Sequence, residues 1–109
     1  MTPEHHAEQI RAKAPEYGKA KARRVYLEEF RRSKKALLMK EALKLKIEAA
    51  NAQEREALAN PEYEELLKGL AAAVQIEETL KWELESHRLD IEIWRTKEAT
   101  NRMQDRSHK

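Results

Sequence analysis

The chain has 109 residues, enough for one small domain or for half of a core that a partner completes. Hydrophobic residues make up 40% and charged residues 39%, with two glycines, three prolines and no cysteine; this excludes a disulfide framework, thiolate chemistry and a cysteine-based zinc site, and it is the composition of long helices or a coiled coil. The formal net charge is +2, but it is unevenly spread: residues 11–46 carry 13 Lys/Arg against 4 Asp/Glu, and residues 47–98 carry 6 against 13.

The N-terminus has no apolar signal-peptide core, and the longest apolar run, Leu70 to Val74, is far too short to span a bilayer. The expectation is a cytoplasmic protein with no membrane partner. Thr2-Pro3-Glu4 opens like a helix start, with Thr2 as N-cap and Pro3 at the first helical position. A short N-terminal helix or arm over residues 1–14 is expected, because Pro15 disfavours helical geometry at the residue before it.

A basic helix is expected over residues 16–59. One stripe at helical spacing contains Ala20, Leu27, Leu38, Ala42, Leu45 and Ala49, flanked by Phe30 and Leu37. A second set, Val25, Ala36, Met39, Leu43, Ile47 and Ala50, falls roughly on the opposite side at 100° per residue. Asn51 and Glu54 have capping-box spacing, so a break near residues 50–51 and one unbroken helix are both open readings.

Asn60-Pro61-Glu62-Tyr63 is the turn around which the chain is organised. Asn60 is a good N-cap, Pro61 falls where its missing N–H costs nothing, and Glu62, Glu64 and Glu65 suit the positive end of a helix dipole. An acidic helix is expected over residues 61–105. Its seam alternates steps of three and four through Tyr63, Leu66, Leu70, Ala73, Glu77, Leu80, Leu84, His87, Ile91 and Trp94, with Glu77 and His87 as polar interruptions. Trp82, Leu89 and Ile93 lie on the other side of this helix.

The fold class is therefore all-α: a long, coiled-coil-like antiparallel hairpin with a short N-terminal helix. A lone two-helix hairpin buries one face of each helix, so the second apolar faces call for another surface. The expectation is a homo-oligomer, most simply a dimeric bundle, with Val25, Met39, Leu43, Ile47, Trp82, Leu89 and Ile93 as interface candidates.

No Gly-rich phosphate loop, HExxH pair or nucleophile elbow appears, so the chain does not read as an enzyme, and no cofactor is implied. Glu83 lies one turn before His87, a weak metal or proton-relay pair for which a register-setting role is preferred. For Glu77 the same reading is made, with Lys34 or Arg23 as salt-bridge partner. His5, His6 and His108 read as solvent-exposed residues.

Lys19, Lys21, Arg23, Arg24, Arg31, Arg32, Lys34 and Lys35 crowd within 17 residues, with Tyr26 and Phe30 between them. Such clusters bind phosphate backbones, but they also serve as solvated surface or as a complement to an acidic helix, which is the preferred reading here. In an antiparallel hairpin, Arg95, Arg102 and Arg106 would approach Arg23 and Arg24 and form a basic tip. The candidate contacts for nucleic acid or an acidic partner are thus Lys19, Lys21, Arg23, Arg24, Arg31, Arg32, Lys35, Arg102 and Arg106.

The segment Tyr26-Leu27-Glu28-Glu29-Phe30-Arg31-Arg32-Ser33-Lys34-Lys35-Ala36, with Asn60-Pro61-Glu62-Tyr63 and Trp94-Arg95 followed by Ala99 and Arg102, resembles small helical proteins encoded in bacteriophage and prophage genomes. The resemblance covers residues 17–106 and brings no catalytic residue with it. It implies a phage-type accessory protein, with DNA replication or recombination as a setting. Two function classes follow: a non-enzymatic helical interaction or assembly module, and a nucleic-acid-binding accessory.

Overall fold

The computed structural model describes residues 1–107, in three α-helices: α1 (Pro3–Lys44), α2 (Ala50–Ala59) and α3 (Pro61–Ser107). No strand occurs among the described residues, and none of their helices is long and apolar enough to cross a membrane. His108, expected to be solvent-exposed, lies outside the described residues.

Thr2 caps α1. Its hydroxyl accepts the His5 backbone N–H at 3.2 Å and its carbonyl accepts that of His6 at 3.2 Å, with Pro3 in the first helical position. The expected short N-terminal helix is corrected: α1 continues through Pro15. An interior proline removes one i→i−4 hydrogen bond, that to the Arg11 carbonyl, and costs about 3 kcal/mol. Arg11 and Pro15 are both exposed, so water can replace that bond. Side chains before and after the proline are held against α3, His6 and Lys13 on one side and Arg24 on the other. Packing overrides the local preference.

The break expected near residues 50–51 falls earlier, and the unbroken alternative is excluded. At the end of α1 the Ile47 N–H bonds the Ala42 carbonyl at 3.1 Å and the Lys46 N–H bonds the Leu43 carbonyl at 2.9 Å. These two bonds form a Schellman motif, with Lys46 in the left-handed region at φ 68° where glycine is the usual residue. Asn51 does not cap α2; it sits exposed inside the helix. Gln53 ties the turn instead, its side-chain amide donating to the carbonyls of Ile47 at 2.8 Å and Glu48 at 3.3 Å. Glu54, the other half of the expected capping box, pairs with Lys35 at 2.7 Å.

Asn60 alone links α2 to α3. Its N–H closes α2 on the Ala57 carbonyl at 3.3 Å, and its side-chain oxygen accepts the Glu62 N–H at 2.8 Å. Its carbonyl takes the N–H groups of Tyr63 and Glu64 at 3.0 and 3.1 Å. One residue thus satisfies orphan groups of both helices, as its side-chain chemistry predicts.

The chain divides into two packed units. One joins Met1–Gly18 to Glu78–Lys109; the other is Lys19–Glu77. The core of the second unit is the cluster of Leu38, Ala57 and Tyr63, against which Met39 packs. Ala20, Ala42, Leu70 and Ala73 are also buried there, and Leu27 and Leu66 are half-buried. Leu45 and Ala49 leave the expected stripe, because α1 ends at Lys44; Leu45 is 76% exposed. In the first unit, Leu80, Leu84, His87 and Ile91 of the α3 seam are half-buried, and Trp94 is exposed. Within each unit α1 and α3 run antiparallel: residue numbers ascend from His6 to Lys13 against a descent from His87 to Glu83, and from Arg24 to Lys34 against Glu77 to Glu62.

Candidate interaction surfaces and the polar seam

The seam of α3 has polar interruptions at Glu77 and His87, and α1 answers each with a polar side chain. Arg24 donates to Glu77 through Nε at 2.6 Å and Nη2 at 3.0 Å, a bidentate fork, while its Nη1 reaches Glu28 at 3.0 Å. Glu77 is among the most buried residues of its unit at 6% exposure. Hydrogen bonding to Glu77, and then to Glu28, raises the Arg24 pKa further above its ordinary value. The expected partners of Glu77, Lys34 and Arg23, are corrected. Lys34 pairs with Glu62 at 3.2 Å, and Arg23 points to an exposed face one residue away from the seam.

At His87 the partner is His6, with the two Nδ1 atoms 2.8 Å apart, so one ring donates and the other accepts. His6 is buried, with 7% exposure, and its Nε2 lies 3.6 Å from the Asp90 carboxylate. The expectation of an exposed His6 is therefore overturned; the residue sits on the face of α1 that packs against α3. Glu83 is drawn to Lys13 at 2.8 Å, and its hydrogen bond raises the Lys13 pKa. No group of three or more His, Asp or Glu side chains among the described residues is placed to hold a metal ion. No buried side-chain nitrogen or oxygen among them lacks a hydrogen-bond partner.

The basic candidates separate into two classes. Arg24 and Lys35 are engaged within their unit, by Glu77 and Glu54. Lys19, Lys21, Arg23, Arg31 and Arg32 are exposed and make no ion pair among the described residues. Arg102 and Arg106 are exposed as well, but they belong to the other unit, so the expected common tip with Arg23 and Arg24 is not assembled within either. The reason is the register. With His6 opposite His87 and Asp90, the last ten or so described residues of α3 run beyond the start of α1 at Pro3, and from Ala99 to Ser107 every one is exposed.

The apolar candidates separate similarly. Met39 packs on the core and Ile47 is half-buried beyond the end of α1, leaving Val25 and Leu43 exposed at 42% and 52%. On α3, Trp82, Leu89 and Ile93 are exposed together, and Met103, absent from the sequence-based candidates, continues their spacing. Comparison with protein families, curated proteins and solved structures finds no match for this chain.

Proposed function

We propose that this chain is a non-enzymatic helical interaction and assembly module, a coiled-coil-like antiparallel hairpin that self-associates into a dimeric bundle. The observation that carries the reading is the exposed apolar stripe of Trp82, Leu89 and Ile93, on the side of α3 away from the seam residues Leu80, Leu84 and Ile91. Single exposed apolar residues are ordinary on a protein surface, but a row of them at helical spacing marks an interaction surface. The role fits a phage-type accessory protein working in the cytoplasm of a bacterial host, the setting that the sequence resemblance implies. In sedimentation equilibrium at tens of micromolar the wild-type chain is expected to be dimeric. Trp82→Lys with Leu89→Glu is expected to give a helical monomer. A wild-type monomer under these conditions overturns the self-association.

A second reading, a nucleic-acid-binding accessory, draws on one feature of α1. Lys19, Arg23, Tyr26 and Phe30 follow at i, i+4, i+7 and i+11 on one exposed face, with the two rings stacked at 5.9 Å between centroids and 11° between planes. Cations beside exposed rings suit a single strand. Binding to single-stranded DNA that falls steeply with salt is expected on this reading. Arg23, Arg31 and Arg32 to alanine should then reduce the log–log salt slope by about 0.7 per lost phosphate contact. Absence of binding at low salt rejects it.

A further inference from the structure

The stripe on α3 is longer and more regular than its three largest residues show. Alternating steps of four and three lead from Trp82 through Ser86, Leu89, Ile93, Thr96 and Thr100 to Met103 and Ser107, a second heptad seam on the same helix. All eight positions are exposed. Three of its four hydroxyls are turned to their own helix: Thr96 donates to the Glu92 carbonyl at 3.1 Å, Thr100 to the Thr96 carbonyl at 3.0 Å and Ser107 to the Met103 carbonyl at 3.0 Å. The threonines therefore offer methyl groups to a neighbour without stranding a donor.

We propose that this face packs antiparallel on the same face of a second copy, around a twofold axis passing between Trp94 and Arg95. The proposal rests on the assembly reading above and supplies its partner, orientation and register. Two independent patterns select this arrangement.

The first is size. With that axis, Ile93 meets Thr96 of the second copy, Leu89 meets Thr100, Ser86 meets Met103 and Trp82 meets Ser107. Every layer then sets a large side chain against a small one, the alternation that fills a core without voids. A parallel, in-register pair would instead stack serine on serine and threonine on threonine in half of its layers.

The second is charge. Beside the seam, Glu85 and Asp90 lie in its first half and Lys97 and Arg106 in its second. The antiparallel register brings Glu85 to Arg106 and Asp90 to Lys97 of the second copy, each twice by symmetry, and no like charges meet at these flanking positions. The parallel register would place Glu85 next to Asp90 of the second copy, a repulsion that offsets its one attractive flanking pair, Glu92 with Lys97. Asp90 keeps a side-chain exposure of 48% beside His6, and Glu85 keeps 39% while bonded to Arg88 at 2.8 Å, so both carboxylates stay accessible. A shallow pocket lined by Met1, Pro3, His6, Asp90, Ile93, Trp94 and Lys97 opens beside the middle of the seam.

The chain has no cysteine, so introduced ones report orientation directly. Leu89→Cys and Thr100→Cys are made in separate chains, mixed and oxidised. A disulfide needs Cα atoms within about 7 Å. In the proposed dimer Leu89 and its own symmetry mate stand about 16 Å apart along the axis, at 1.5 Å per residue. The mixture should therefore cross-link at least tenfold more than either variant alone. In parallel, Glu85→Arg is expected to weaken dimerisation about tenfold, and Glu85→Arg with Arg106→Glu to restore it.

Cross-linking of Leu89→Cys with itself as readily as in the mixture overturns the proposal, as does a dimer indifferent to the charge exchange. In both cases sedimentation still shows a dimer and the assembly reading stands. A wild-type monomer removes the reading and the seam together.

Discussion

Replacing Tyr63 by alanine is expected to destabilise the protein by about 4 kcal/mol, in line with truncation of a buried aromatic. Tyr63 is 7% exposed, and it closes the cluster formed with Leu38 at 3% and Ala57 at 1%. The members of that cluster come from α1, α2 and the first turn of α3, so it holds the three helices onto one another. The aromatic ring is also its largest member, so the cavity left behind is large and is bordered by three separate helices. A small domain has only about 5–15 kcal/mol in total, so the variant gives up a large share of its stability. The check is thermal and urea unfolding followed by helical circular dichroism. Tyr63→Phe, which retains the ring and nearly all of its volume, should lose less than about 1.5 kcal/mol, as volume-conserving swaps do. Equal losses in the two variants would mean that the ring is not what holds the cluster.

The position of Tyr63 was legible because the signals around it are short-ranged. Asn60 and Pro61 specify a helix start by side-chain and ring chemistry that acts within one turn, and the heptad steps from Tyr63 to Ile91 follow a period that composition does not disturb. The end of α1 was not legible for the opposite reason. A Schellman turn announces itself by glycine, and here Lys46 takes the left-handed position, so the sequence shows nothing there while Asn51 and Glu54 offer a better-looking cap five residues later. Pro15 misled through a local rule that holds for an isolated segment. In the folded chain, contacts on both sides of the proline outweigh a single missing hydrogen bond.

The polar half of the α1 seam leaves no mark in an apolar stripe. His6, Lys13 and Ala20 are seven apart, and Arg24, Leu27, Lys34 and Leu38 continue on the same face. Glu77 and His87 in α3 held the needed clue, since a polar residue in one seam requires a polar partner in the facing one. Such matching could have found Arg24 and His6. It also separates the basic residues that serve the fold from Lys19, Lys21, Arg23, Arg31 and Arg32, which do not.

Arg24→Ala is the second change with a large expected effect, a fall in the unfolding midpoint of about 10 °C, as follows when a buried carboxylate loses its main countercharge in a domain of this size. Two charge-assisted hydrogen bonds to a carboxylate of 6% exposure disappear, and the alanine is too small to refill the seam. Arg24→Lys should recover only part of the loss, because an ammonium group cannot reproduce the planar fork. The informative variant carries leucine at both positions. Arg24→Leu with Glu77→Leu removes the charges together and fills the space with apolar volume, and a midpoint at or above that of the wild type is expected. The pair would then act to fix register, because the leucines make neighbouring layers of this stretch alike and a slide of α1 along α3 no longer strands a charge. Amide hydrogen exchange reads this directly: the double variant should protect the ends of the Lys19–Glu77 unit less than its higher midpoint implies. Unchanged protection with a raised midpoint would show that the apolar layers specify the register on their own.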